Sequence, residues 1–280
     1  MKPILVYQTD FTYKEGAISA MYGVVKSVDR ELEIIDGTHE IPKFDTWSAS
    51  YRLYQSMPFW PQGTIFVSVV DPGVGTNRRA CVARTTNGYL IVTPDNGSLT
   101  HVKRAFGIDE IREIDETINR LRGMNTDDVS VFHGRDVFSY CAARLASGII
   151  TFEEVGQVYN PDEVVMHPIH EPFFKAGFAK GIFEINDPNF GNNWTNLPLK
   201  SFLNAGFAYG DRLQVTIFHQ GQEVYAHKLL FERSFGYAKT GEAILYNNEL
   251  MRVSIAVNQG SFVEQFGIGY GPEWQVEISK

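Results

Sequence analysis

Cysteine is scarce. Cys81 and Cys141 are the only two in 280 residues, too few for a disulfide framework or a zinc site. Both sit in apolar surroundings, the pattern of buried thiols in a reducing compartment. Long hydrophobic runs are also missing. None approaches the ~18 residues needed to span a bilayer, so no membrane segment is expected. Positive charge is in deficit: 25 basic residues stand against 33 acidic ones, for a net charge of −8. That speaks against a nucleic-acid groove, which needs a basic stripe. Lys2–Val6 runs straight into a strand pattern with no charged n-region, long apolar h-region or cleavage site. A soluble cytoplasmic protein is expected.

What is present is aromatic. The chain holds 20 Phe, 13 Tyr and 4 Trp, 13 % of its residues, within an apolar content of 44 %. That suffices for a large core with rings to spare for a stacking pocket. The length predicts one large domain or two smaller ones. The first half alternates strand and helix patterns. Ile4–Gln8 is a short apolar run, and Ala17–Val28 places Ile18, Met21, Val24, Val25 and Val28 at helical spacing. Leu32–Asp36 is a strand, and Asp45 can cap a helix that ends before Pro58. Thr64–Val70 reads as a strand buried on both faces. Ala80–Arg84 and Tyr89–Thr93 flank Asn87-Gly88, a hairpin signal. Asp128–His133 reads as another strand, followed by a helix that stops at Gly148. Together these predict an α/β domain with a mostly parallel central sheet.

His167-Pro168-Ile169-His170-Glu171-Pro172 carries two prolines and no periodicity. Residues 168–172 are therefore expected to be a linker between an α/β domain at 1–167 and a second domain at 173–280. In the second domain Phe173–Asn186, Arg212–His219, Glu223–Phe231, Ala243–Asn247 and Leu250–Val257 read as strands. No long helix intervenes, so a smaller antiparallel all-β domain is expected, barrel-like or sandwich-like.

Polar residues gather where the predicted parallel strands end, which is where open α/β sheets bind ligands. Thr9-Asp10-Phe11 ends the first strand, Asp71-Pro72-Gly73-Val74-Gly75-Thr76-Asn77-Arg78 ends the third, and His133-Gly134-Arg135-Asp136 follows the last. Each has a plain structural reading by itself. Asp10 suits a turn or cap, Asp71-Pro72-Gly73 a turn, and His133 a satisfied core position. Gly73-Val74-Gly75 lacks both the P-loop lysine and the third Rossmann glycine. Their coincidence favours a site. In the second domain Asp187–Asn196 mixes amides, Phe190, Trp194 and an aspartate. Such a loop can stack on a flat ring and hydrogen-bond its edge, or simply turn the chain.

Taken together, T-D-F, D-P-G-V-G-T-x-R, T-P-D-N-G at Thr93–Gly97, F-H-G-R-D at Phe132–Asp136 and D-x-x-F-G-N-x-W-T-N resemble the S-adenosylmethionine (SAM) hydroxide adenosyltransferases, or SAM hydrolases, relatives of fluorinase and chlorinase. The likeness runs through nearly the whole chain in order. It implies a two-domain enzyme, usually a homotrimer with SAM at subunit interfaces. It implies hydrolysis of SAM to adenosine and L-methionine by water attack at ribose C5′, with SAM as substrate, no cofactor, no metal, and no nucleic-acid or membrane partner. By the resemblance the catalytic set falls on Asp71, Arg78 and His133. Asp10 matches the aspartate on the ribose hydroxyls. Asp187, Phe190, Asn192 and Trp194 match residues around the methionine and adenine ends of SAM. Phe44 falls where the fluorinase has an aromatic stacking residue.

The chemistry is reasonable in outline. The sulfonium is a good leaving group, but water, with a pKa of about 15.7, is a poor nucleophile at neutral pH. A carboxylate, a guanidinium and an imidazole around one water can orient it and favour its hydroxide-like form. Asp71 and His133 are expected to handle its protons while Arg78 supplies fixed positive charge. The chain also departs from the family's usual pattern. Thr12 stands where glycine is usual and Glu15 where aspartate is usual. Glu249 and Leu250 align with a serine-containing stretch that contacts the substrate. Gly134 replaces the halide-binding serine of the fluorinase, and the fluorinase's inserted loop has no room between Asp71 and His101, which disfavours fluoride. A halide-using enzyme of the same fold and a non-catalytic adenosine or SAM binding module are the alternatives.

Overall fold

A computed structural model describes residues 2–123, 126 and 128–280. The chain divides into two compact units, Met1–His167 and Pro168–Lys280.

The first unit is built on a seven-stranded sheet. In chain order it runs β1 (Leu5–Thr9), α1 (Ala17–Val28), β2 (Ile34–Thr38), α2 (Thr46–Ser56), β3 (Ile65–Val69), β4 (Ala80–Thr85), β5 (Leu90–Pro94), α3 (Thr100–Phe106), β6 (Ile108–Glu113), α4 (Tyr140–Ser147) and β7 (Val158–Tyr159). The sheet order is β2-β1-β3-β5-β4-β6-β7. β2, β1, β3 and β5 pair in parallel, and β4 and β7 run against the rest. The unit is thus an α/β domain with a mostly parallel sheet. Alternate strand residues face opposite layers. Leu5, Tyr7, Ile65 and Val67 pack with Met21 and Val25 of α1 and with Cys141 and Ala142 of α4. Val6, Phe66 and Ile91 pack on the other face with Leu53 of α2 and Val102 of α3. Local signals explain the helix starts and stops. Asp45 caps α2 by accepting from the Ser48 N–H at 2.9 Å, and Gly148 ends α4 in a left-handed conformation.

Asp128–His133 is not a strand. Residues 128–132 are irregular, and His133 leads into a π-helical turn, Gly134–Ser139, continuous with α4. The reason lies in the sheet. The interior strand β3 is already paired on both edges, by β1 and β5, the segment joins neither end of the sheet, and Val131 stays 78 % exposed, so its alternating apolar residues bury no face.

The second unit comprises β8 (Phe173–Lys175), β9 (Phe178–Asn186), β10 (Asn193–Pro198), α5 (Leu199–Asn204), β11 (Arg212–His219), β12 (Gln222–Glu232), β13 (Ala243–Asn247), β14 (Arg252–Val257), α6 (Phe262–Phe266) and β15 (Gly271–Ser279). Its order is β10-β14-β13-β12-β11-β15-β9-β8, and β10 also pairs with β9. That last pairing closes seven strands into a barrel, antiparallel except at β12–β13, with β8 appended. Phe183, Val215, Phe231, Ile255 and Val276 fill its interior. The stretch Phe173–Asn186 is two strands rather than one, broken at Gly177, and the last four residues of Asp187–Asn196 belong to β10.

Candidate functional site

Strand order locates the first candidate site. β2 lies to one side of β1 and β3 to the other, so the order reverses between β1 and β3. A crevice opens at such a switch point, beyond the carboxyl ends of the strands. Asp10 directly follows β1, and Asp71 lies two residues beyond β3.

The Asp10 carboxylate is buried, and its Oδ2 accepts from the Phe44 N–H at 2.9 Å. Burial pushes the Asp10 carboxyl above its ordinary value. The Phe44 N–H works against that push, and the nearby negative charge of Asp71 adds to it. Phe44 has φ +66° and leaves its ring 67 % exposed. A second anchor holds the backbone of Asp10 from behind. The Phe11 N–H donates to Thr9 Oγ1 at 3.1 Å, and the same hydroxyl meets His39 Nδ1 at 2.9 Å.

Asp71, Arg78 and His133 form one connected chain. Arg78 Nε donates to both Asp71 oxygens, at 2.9 and 3.0 Å, and Nη2 donates to Oδ2 at 2.5 Å. Arg78 Nη2 also lies 2.9 Å from His133 Nδ1. A guanidinium has donors and no acceptor. His133 Nδ1 therefore accepts, and the ring proton sits on Nε2. The electrostatics agree with that neutral ring: burial lowers the His133 pKa, as does the Arg78 charge, against an opposing pull from Glu116. Arg78 also lies 5.3 Å over the Phe138 ring. Asp71 and Arg78 side chains are only 5 % and 9 % exposed, so this pair is screened little by water.

The loop between them is fixed locally. Val74 N donates to the Asp71 carbonyl, and Thr76 Oγ1 donates to the Gly73 carbonyl at 2.6 Å. Gly75 has φ +76°, and a Cβ there would lie 3.0 Å from the Ser130 carbonyl, so glycine lets the segment before His133 approach. Asn96, part of the T-P-D-N-G motif but given no role by the sequence, is a brace. Its Nδ2 donates to the Val70 carbonyl at 2.9 Å, beside Asp71. Asp95 accepts from Tyr159 Oη and the Val165 N–H. The T-P-D-N-G motif thus pins the end of β3, a role no local pattern announces.

In the second unit, Asp187 Oδ1 accepts from the Asn189 and Phe190 N–H groups at 3.1 and 3.2 Å. Gly191 has φ +67°, and a Cβ there would collide with Ser261. The turn leaves Phe190 66 % exposed. Asp187, Phe190, Asn192 and Trp194 line one cavity of about 310 Å³, together with residues from two further loops, among them Arg233, Asn248 and Glu249. Phe190, Asn192 and Phe235 also border a neighbouring cavity of about 490 Å³. Both volumes suit small-molecule sites. No helix among the described residues is long and apolar enough to cross a membrane.

The comparisons with known proteins agree in kind. The SAM hydroxide adenosyltransferase N-terminal domain matches residues 5–156, and the C-terminal domain of that family matches residues 183–275. The chain is 31 % identical over 251 residues to an (R)-S-adenosyl-L-methionine hydrolase of Methanocaldococcus jannaschii, covering 88 % of this chain and 85 % of that one. It is 23 % identical to a fluorinase of Actinopolyspora mzabensis, over 99 % of this chain and 98 % of the fluorinase. The crystal structure of an uncharacterized conserved protein from Thermotoga maritima superposes with a TM-score of 0.87 at 32 % identity, covering 99 % of this chain and all of that one. The chain belongs to the SAM hydroxide adenosyltransferase family.

Proposed function

We propose that this protein hydrolyses SAM to adenosine and L-methionine. The observation that carries the reading is the connected Asp71–Arg78–His133 chain at the switch point. Water attacks ribose C5′ in line with the sulfonium. The C5′–O bond forms, the C5′–S bond breaks, and the electron pair leaves on sulfur as the neutral thioether of methionine. The water's proton must go to a base. Asp71 keeps lone pairs that Arg78 does not use, so it accepts that proton, while His133 Nε2–H donates to the water oxygen and aims it. Arg78 holds both groups in place. Asp10 accepts from the ribose hydroxyls and Phe44 offers a ring for stacking. Asp187, Phe190, Asn192 and Trp194 take the methionine and adenine ends. The sulfonium is already an activated leaving group, so these steps call for no cofactor or metal. We place the reaction in the cytoplasm and in a homotrimer, checked by light scattering after size exclusion.

The test is incubation with SAM in ¹⁸O-labelled water. Adenosine carrying the label, together with methionine, is expected. Asp71→Asn and His133→Ala should lower kcat by about 10²–10⁴, the usual range for general acid–base groups, with SAM affinity nearly kept. Asp10→Ala should weaken SAM binding as well. A halogenated 5′-deoxyadenosine on addition of halide would instead make it a halide-using enzyme, and binding without turnover would make it a binding module.

A further inference from the structure

The cavity beside Asp187 contains groups that the assigned roles leave unused. Arg233 lines it, with its guanidinium 4.4 Å over the Tyr209 ring. Tyr209 is itself fixed, by donation to Asn247 Oδ1 at 3.0 Å and by stacking on Phe231. No carboxylate of the described residues forms an ion pair with Arg233. Asn248 is 4 % exposed and lines the same cavity. Its Oδ1 accepts from the Leu250 and Arg252 N–H groups, both at 3.0 Å. Those two donors settle which end of the amide is oxygen. Asn248 Nδ2 is then a buried donor with no partner among the protein's own groups, and a buried donor left unpaired is costly.

The charges around these donors narrow the ligand. Asp187 and Glu249 line the cavity too, so a plain anion meets two carboxylates. A plain cation meets Arg233. A zwitterion satisfies both signs, and the amino-acid end of SAM is one. We propose that Arg233 and Asn248 bind the α-carboxylate of the substrate's amino-acid end, leaving its ammonium to Asp187 and Glu249, and that Arg233 thereby determines specificity for a carboxylated sulfonium. This rests on the hydrolase reading. It also explains how the chain tolerates Glu249 and Leu250 where relatives commonly have a serine-containing stretch: the donors come from Arg233, on another loop, and from the Asn248 amide.

The experiment measures kcat/KM on SAM and on decarboxylated SAM for the full chain, Arg233→Ala and Arg233→Lys. The ratio of the two, SAM over decarboxylated SAM, should fall about 10- to 100-fold in Arg233→Ala, the usual worth of a hydrogen bond to a charged group. Arg233→Lys should recover part of it. Calorimetry runs alongside, with L-methionine and with 3-(methylthio)propylamine, which lacks only the carboxylate. Wild type should prefer L-methionine, and Arg233→Ala should lose the preference. A merely structural role would lower both substrates alike and leave the ratio unmoved, and that result overturns the proposal. So does equal binding of the two small ligands, or no binding of L-methionine, by wild type. If wild type releases no adenosine from SAM, the hydrolase reading falls, and the calorimetric pair alone decides the carboxylate subsite.

Discussion

Two residues with left-handed backbone flank the Asp10 carboxylate, and neither is glycine: Thr12 at φ +56° and Phe44 at φ +66°. Such conformations persist when surrounding bonds over-determine them. Here the Thr12 N–H donates to the His39 carbonyl at 2.9 Å, and the Phe44 N–H donates to Asp10 itself. For a β-branched residue the left-handed region costs about 1–2 kcal/mol. Glycine at the same place gives back roughly 0.5–1 kcal/mol through its freer unfolded chain. Thr12→Gly should therefore stabilise the protein by up to about 1 kcal/mol, read as a higher urea midpoint with unchanged slope. A lower midpoint would show that the threonine side chain, whose Oγ1 accepts from the Lys14 N–H at 3.2 Å, outweighs the strain. Positions such as Asp10 and Asp71 were visible in the sequence because they follow buried strands. The braces behind them were not. Thr9, His39 and Asn96 act through contacts 26 or 30 residues away in the chain, and no local pattern encodes such a distance.

At the scale of elements, legibility followed periodicity. Ala17–Val28, Arg212–His219 and Ala243–Asn247 are read to the residue because each has a face to bury. β6 is hidden by its charged residues, which include Asp109, Glu110 and Arg112. β15 is masked by Pro272 and Glu273, and a turn-rich composition conceals the start of β10. The reverse error, a strand at 128–133, arose because apolar alternation says nothing about a vacant sheet edge. The contact between α2 and α3 carries a prediction of its own. His101 of α3 packs edge-on against Trp47 and Tyr51 of α2, with ring centroids 4.6 and 5.3 Å away. Burial, helped by the Arg104 charge, drives its pKa down to about 3. An unfolded histidine titrates near 6.5. Between those values the unfolded chain binds the extra proton, so stability rises with pH by up to about 1.4 kcal/mol per unit and is lost as pH falls. The ring's Nδ1 has no partner, so His101→Phe should be tolerated among the aromatics. Urea unfolding at pH 7, 6 and 5 should show wild type losing stability relative to His101→Phe below pH 6.5. A constant gap would mean that His101 does not titrate in this way.

On the scale of the whole molecule, the α/β class of the first unit and the barrel-like class of the second were both legible, because the alternation of strand and helix stops near residue 170. Closure of the barrel was not. It depends on the β9–β10 pairing, across a turn whose composition resembles a binding loop, and on the parallel β12–β13 neighbours, which a reading of successive hairpins does not produce. Closure has an energetic consequence. Seven strands that pair around a ring leave no long edge to aggregate. The interior, from Phe183 through Phe231 to Val276, is filled by the unit's own side chains. A unit of 113 residues with its own buried core is of a size that folds alone. Residues 168–280 expressed without the rest should therefore give a cooperative thermal transition in near-ultraviolet circular dichroism, where buried aromatics such as Phe202, Phe231 and Phe262 report packing. Secondary structure without that transition would mean that the barrel needs the first unit, or another copy of the chain, to fix its core.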